Sequence, residues 1–266
     1  MKLYRVKILD KEFNLSTDDL YLENVRVFES YMVSLFKSLI TKNDIVLDVG
    51  ANIGCTALLF SQLAHKVFAF EPCPSTFYYL SDNIIMSNQT NINTFNIGLG
   101  NKEEYVSLTY NSDNRSGGFV SNKLQASKGH ITEQVKIRTL DNVHAEFGFN
   151  KIDFIKIDVE GFEKHVLMGA KNAIQEFKPT VVLELNHWCL NAFQRICVPD
   201  FFDYLKSIFP ILYAIDNLNY LNIYDSSDAY TIMYRHIIHR RFNNIVCCFD
   251  ESKLSSFKNI FTYREN

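Results

Sequence analysis

Asp44-Ile-Val-Leu-Asp48-Val-Gly50-Ala-Asn52-Ile-Gly54 is the stretch on which the reading of this chain turns. A short apolar run, Asp44 to Val49, ends at a glycine, as a buried parallel strand does. Cys55, Leu58, Leu59, Gln62 and Leu63 then recur at helical spacing, which makes a strand, a glycine turn and a helix. Lys66–Phe70 is expected to be a second strand, Pro74–Met86 a helix and Asn91–Ile97 a third strand. Further on, Ile152–Ile157 and Thr180–Leu185 are expected strands flanking a helix from Glu163 to Phe177. Strands alternating with helices of this length imply crossover units and a doubly wound α/β fold with a mostly parallel sheet.

The pattern breaks between the third and fourth strands. Glu104–Tyr110 and Gln134–Leu140 alternate apolar and polar residues, as antiparallel partners do, and bracket a polar stretch from Asn111 through Gly118 to His130. Such an insertion is either a functional loop or disorder. Upstream, Leu20, Val27, Tyr31, Leu35 and Leu39 suit helix between Ser16 and about Ile40. The expected organisation is a helical extension over 1–43, a main domain over 44–250 with its insertion at about 101–140, and a tail over 251–266.

Apolar residues make up 47% of the 266, enough for a sizeable core and incompatible with disorder throughout. A net charge of −3 argues against a chain built to grip nucleic-acid phosphates. Six cysteines without a C-x-x-C pair read as reduced thiols rather than a disulfide or zinc framework. The charged first ten residues do not resemble a signal peptide, and no uncharged apolar run of about 18 residues is present, so no membrane span and a cytoplasmic location are expected.

Gly50 at the strand–helix junction allows close backbone approach to a ligand, and the helix start offers unpaired N–H groups. The spacing is G-x-x-x-G with Asn52 in the middle, not the G-x-G-x-x-G of dinucleotide sites. Asp48 would repel a pyrophosphate, so a cationic or zwitterionic nucleoside fits better. Glu71 ends the second strand at about the offset where a carboxylate takes up ribose hydroxyls; the bland reading is that it favours the next helix start. Pro72 follows at once.

These residues resemble motifs I and II of the S-adenosylmethionine-dependent methyltransferases. Val135-Lys-Ile-Arg-Thr-Leu-Asp141, Ile152-Asp-Phe-Ile-Lys156-Ile-Asp158-Val-Glu160-Gly161-Phe-Glu163 and Val182-Leu-Glu184-Leu narrow the resemblance to the FkbM-type family, from roughly Asn43 to Asn186. It implies a Rossmann-like class I methyltransferase fold with an antiparallel hairpin insertion. It implies S-adenosylmethionine as cofactor, with Asp48, Gly50, Ala51, Asn52, Gly54, Glu71, Pro72 and Leu99 around it, and Asp158 and Glu160 at the reaction centre. Members mostly O-methylate hydroxyls of sugars, polyketides and other small products. The third strand ends Ile97-Gly98-Leu99-Gly100-Asn101, without the acidic residue many methyltransferases place against the adenine amino group.

Methyl transfer from a sulfonium needs alignment and removal of the acceptor's proton. Strand alternation puts Lys156 and Asp158 on one side, and Glu160 lies two residues into the turn. One carboxylate is expected to orient or deprotonate the hydroxyl, with Lys156 holding the geometry; the alternative is that Asp158 and Glu160 only favour the next helix start. Glu184 and His187 cluster at the fifth strand's end, and His187 is a further candidate base. A divalent cation among Asp158, Glu184 and His187 is a lesser reading, and no metal is expected. Trp188 is either pocket wall or packing, and His236-Ile-Ile-His239-Arg-Arg241 reads as a solvated basic edge. The rival functions are a nicotinamide oxidoreductase and a non-catalytic nucleoside-binding protein.

Overall fold

Ile45–Val49 is a strand buried on both faces because every second residue feeds a different core. Val46 joins one apolar cluster with Leu58, Leu59 and Phe154, whereas Leu47 and Val49 join the other with Ile155, Ile157 and Leu183. The computed structural model describes residues 2–23, 25–28, 30–121, 124 and 127–264. Among them a nine-stranded sheet runs in the order Thr262–Tyr263, Asn219–Asn222, Ile211–Asp216, Asn244–Cys248, Thr180–Glu184, Phe154–Ile157, Ile45–Val49, Lys66–Phe70, Ile92–Phe95.

The five strands from Thr180–Glu184 to Ile92–Phe95 are mutually parallel, and the three that follow Glu184 in space are antiparallel. After Ile45–Val49 the chain builds outward on one side and later returns on the other with Phe154–Ile157. Their carboxyl ends therefore form a topological switch point, where ligands bind in such sheets. The register sets Lys156 directly beside Asp48. The doubly wound Rossmann-like expectation describes this sheet.

Several local expectations need correction. The N-terminal segment is not helical from Ser16. Lys2–Ile8 and Lys11–Thr17 form an antiparallel hairpin whose Val6, Ile8, Phe13 and Leu15 are buried, and the helix is confined to Ser30–Leu39. Asp19 accepts from the Thr17 hydroxyl and the Tyr21 N–H, a side-chain turn that competes with helix. The expected Glu163–Phe177 helix is two, Glu163–Met168 and Lys171–Phe177. They part at Gly169, where a Cβ would lie 1.8 Å from the Gly100 carbonyl oxygen.

The polar insertion is folded over most of its described length. Glu104–Asn111, Asn114–Val120 and His130–Arg138 join Gly98–Leu99 in a second, four-stranded sheet. The tail also belongs to the body of the molecule: Phe257 and Phe261 are buried, and Thr262–Tyr263 extends the large sheet. All six cysteines are free. No helix among the described residues is long and apolar enough to cross a membrane.

Candidate active site

Two cavities meet over the ends of Ile45–Val49 and Phe154–Ile157. One, of about 660 Å³, is walled by Gly50, Asn52, Glu71, Pro72, Leu99 and Ile137 among others. The second, of about 830 Å³, is walled by Ala51, Thr56, Lys156 and Glu184, with Tyr21, Phe28, Met32 and Phe36 contributed by the N-terminal segment. Gly50, Asn52, Ser116, Asp158 and Glu160 line both.

Gly50 has φ +83°, and a Cβ there would sit 1.9 Å from the Asp158 carbonyl oxygen. Its missing side chain thus first serves the meeting of two loops, because Asp158 N–H donates to the Val49 carbonyl at 3.1 Å. Asn52 is also left-handed, at φ +50°. Its N–H donates to Glu71 Oε2 at 3.0 Å, and Cys73 N–H donates to Glu71 Oε1 at 2.9 Å. Glu71 therefore does brace the next helix start, as the bland reading held, while still lining the cavity. A carboxylate has about four acceptor positions, so two remain for a ligand. Burial raises its pKa to about 7.

Asp48 and Gly54, expected around the cofactor, line neither cavity. Asp48 is completely buried beneath the loop, 3.4 Å from Lys156 Nζ, and neither of its oxygens has a hydrogen-bonding partner. Lys156 Nζ also lies 3.3 Å from Asp158 Oδ2 and donates to the Gly50 carbonyl at 3.2 Å. The two carboxylates hold the lysine protonated against the burial that opposes its charge. Burial pushes the Asp48 carboxyl up. Lys156 pairs with Asp158 as the strand alternation predicts and joins both loops.

Glu160 sits in the following turn at φ +52°. Its Oε2 accepts from Asn186 Nδ2 at 3.2 Å and from the Cys189 thiol at 3.1 Å, and burial lifts its pKa to about 6. Glu184 is pushed well above the usual carboxylate range by burial and by Asp158 and Glu160, and its Oε2 is buried without a hydrogen-bonding partner. Glu163, not singled out in the sequence, is fully buried and shapes this turn. Its Oε1 accepts from Val159 and Gly161 N–H at 3.2 and 3.1 Å, and burial raises it to about 8.

His187 lines neither of these two cavities; it opens onto a third one of about 880 Å³ with Glu184, Trp188 and His236. The His236-Ile-Ile-His239 run is not uniformly a solvated edge, for His236 is buried. Its Nδ1 bonds the Arg241 carbonyl at 2.7 Å and its Nε2 accepts from His187 N–H at 3.2 Å. Trp188 is 59% exposed, so packing does not account for it. No group of three His, Cys, Asp or Glu side chains suited to a metal occurs among the described residues.

The insertion forms a roof. Ser116 touches both cavities, and Arg115 beside it is fixed by Asp18 through two 2.7 Å bonds and donates to Ser75 Oγ at 2.7 Å. On the other side Phe119 stacks on Phe193 at 3.9 Å, and Gln194 Nε2 donates to the Val120 carbonyl at 2.7 Å. Sequence reasoning missed Arg115; the glycine pair 117–118 just after it was the available sign of close packing.

A Rossmann-like sheet with a carboxylate-lined cleft at its switch point places this chain among the doubly wound α/β proteins, which hold their ligands there. The chain's own membership is narrower: the model of the methyltransferase FkbM domain matches residues 48–220, and the chain belongs to that family. It is similar to the hexuronic acid methyltransferase AglP of Haloferax volcanii, 32% identical over 53% of this chain and 56% of the relative. It is also similar to the 2-O-methyltransferase NoeI of Sinorhizobium fredii, 29% identical over 52% of this chain and 62% of that protein. The matches thus cover less than two thirds of these relatives' length. A solved FkbM methyltransferase from Methylobacillus flagellatus superposes with a TM-score of 0.45, at 20% identity over 65% of this chain and 42% of that one.

Proposed function

We propose that this chain transfers a methyl group from S-adenosylmethionine to a hydroxyl of a sugar, glycan or related small metabolite. The observation that carries the reading is the acidic cleft shared by Gly50, Asn52, Asp158 and Glu160 beside Glu71. Family membership supports the reaction class, and the names of two relatives support oxygen as its target.

The residues present fit such a cofactor. Asn52 Oδ1 is buried without a hydrogen-bonding partner. Glu71 keeps acceptor positions for ribose hydroxyls, with Pro72 and Leu99 as apolar wall for a base. Glu71, Asp158, Glu160 and Glu184 outnumber Lys156 and Arg115 on these walls, an excess of carboxyl groups that suits a sulfonium and an ammonium. S-adenosylmethionine, when bound, supplies an already activated methyl group.

The chain's own work is alignment and proton handling. Lys156 fixes Asp158 by an ion pair within a buried frame. Glu160, with a pKa of about 6, is largely ionised at neutral pH and takes the acceptor's proton at its carboxylate while Asn186 and Cys189 hold Oε2 in place. A positioned base of this kind contributes roughly 10²–10⁴-fold. The roof over Ser116 limits water at the reacting oxygen. A nicotinamide reading is disfavoured because position 52 is Asn, its N–H already bonded to Glu71.

Calorimetric titration with S-adenosylmethionine and S-adenosylhomocysteine tests the reading. Saturable heat with both is expected, lost in Asn52→Trp; folded wild-type protein giving no heat with either would refute it. Turnover of bound cofactor to S-adenosylhomocysteine with a sugar acceptor separates an enzyme from a binding protein.

A further inference from the structure

The third cavity borders the cleft at Glu184, which lines both it and the cavity around Gly50 and Lys156. Its wall is Trp188, the single tryptophan of the chain, with exposed Ile237 and Ile238 opposite two imidazoles and a guanidinium. The indole is exposed yet not loose. Its ring meets Phe193 edge-on at 5.2 Å, and Phe193 is in turn stacked on Phe119 of the roof.

Its backbone is held as firmly. A carbonyl only accepts and an N–H only donates, so the bonds to Arg241 O and from His187 N–H fix His236 as the neutral tautomer with its proton on Nδ1. Asn186 accepts from Cys189 N–H at 3.2 Å on the other side of the turn. An aromatic face kept rigid and open is a platform for the C–H face of a sugar ring, which couples apolar area to fixed geometry.

The charge in this cavity is cationic at its rim. Arg240 follows the helix Ser226–His239 with φ +51°, and its guanidinium makes no ion pair or hydrogen bond among the described residues. Its neighbour Arg241 is tied to Asp216. Glu184 lies at the floor, away from that rim, and burial with the neighbouring Asp158 and Glu160 pushes its carboxyl well above the usual carboxylate range.

We propose that this cavity is the acceptor subsite, and that it takes a sugar ring bearing an anionic group, the ring against Trp188 and the anion at Arg240. The proposal rests on the methyl-transfer reading and names its substrate class. Carboxylate and phosphate share the chemistry that a free guanidinium recognises.

The test uses the full chain and the intrinsic fluorescence of Trp188, the sole indole. It is titrated with glucuronate, glucose 6-phosphate and glucose, with and without saturating S-adenosylhomocysteine. A saturable change with glucuronate, with glucose 6-phosphate or with both is expected, the stronger of the two identifying the anion, and glucose should produce none. Arg240→Gln should raise the half-saturating concentration roughly ten- to a hundredfold, the loss of one charge-assisted contact, with S-adenosylhomocysteine heat unchanged. No change with either anionic sugar, an equal response to glucose, or an unaltered titration in Arg240→Gln overturns the subsite. Those results with S-adenosylhomocysteine binding intact leave the methyl-transfer reading standing, whereas absent S-adenosylhomocysteine heat sinks that reading instead.

Discussion

Replacing Lys156 by methionine removes the cation from the frame beneath the Gly50 loop and keeps much of its volume. Of its two anionic neighbours, the Asp158 side chain is 43% exposed and can turn to water. Asp48 is wholly buried and has no hydrogen-bonding partner to replace the lost charge. Breaking a buried pair by removing one partner costs roughly 3–5 kcal/mol. In a chain of this size that lowers Tm by roughly 6–20 °C.

The cost has an escape route, because an orphaned Asp48 takes up a proton. Burial already pushes the Asp48 carboxyl up, with Lys156 as the largest opposing influence. Without the lysine, its native pKa lies further above the unfolded value of about 3.9. A carboxyl raised in this way stabilises the native state below the unfolded pKa and loses that contribution as pH climbs through the native one. The Tm gap between Lys156→Met and wild type should therefore widen from pH 5 to pH 8, by up to about 1.4 kcal/mol per unit. Adding Asp48→Asn should close most of the gap. Scanning calorimetry of wild type, Lys156→Met, Asp48→Asn and the double variant at four pH values measures it, and a gap that is flat with pH, or survives the double replacement intact, would refute the account.

Glu160→Gln should leave S-adenosylhomocysteine binding within a few-fold and cut kcat by roughly 10²–10⁴-fold, as loss of a base does. In wild type the rate should fall as pH drops through about 6, where Glu160 is protonated; a flat acidic limb would remove it from proton transfer. Gly50→Ala must seat a Cβ 1.9 Å from the Asp158 carbonyl at φ +83°, so a loss of roughly 2–6 kcal/mol in urea unfolding is expected from strain and overpacking together. Arg115→Ala unties the Asn114–Val120 strand from Asp18 and Ser75 and should speed hydrogen exchange of residues 114–120 while Tm moves little; unchanged exchange would mean the remaining ties, the Phe119–Phe193 stack and the Gln194–Val120 and Asp19 bonds, suffice to hold the roof.

What was legible in the sequence was whatever one short segment decides by itself. The apolar run before Gly50 has only one way to be a strand in a parallel sheet, and Lys156 and Asp158 share a face by alternation alone. Asp48 shows what such reading lacks: its type and position pointed to the ligand, but the register beside Lys156 turns it to a buried partner. The insertion was open to a functional role, but its strand Asn114–Val120 was not legible, for a related reason. Asn114–Val120 has cavity and solvent on its two faces rather than core, so its burial gives no period-two signal, and its anchors Asp18 and Phe193 lie far away in sequence. The helix was read back to Ser16, well before its start at Ser30, because Leu20, Val27 and Tyr31 mimic helical spacing, although Leu20 and Val27 are more than half exposed.

The carboxylates around the cleft are tolerable together only because they are not all ionised together. Glu160 near 6, Glu71 near 7 and Glu163 near 8 titrate in sequence, each raised chiefly by burial, while Lys156 stays charged between Asp48 and Asp158. Near neutral pH the cleft thus carries protons that a cationic ligand would displace, since a nearby positive charge favours the ionised carboxylate. Uptake of a sulfonium nucleoside would then be linked to proton release, with more to come from Glu71 than from Glu160 because Glu71 titrates higher. Glu163 stands apart: both backbone N–H groups that it holds reach one oxygen, an arrangement the protonated acid keeps, so the Asp158–Gly161 turn persists whichever way the neighbouring carboxyls titrate.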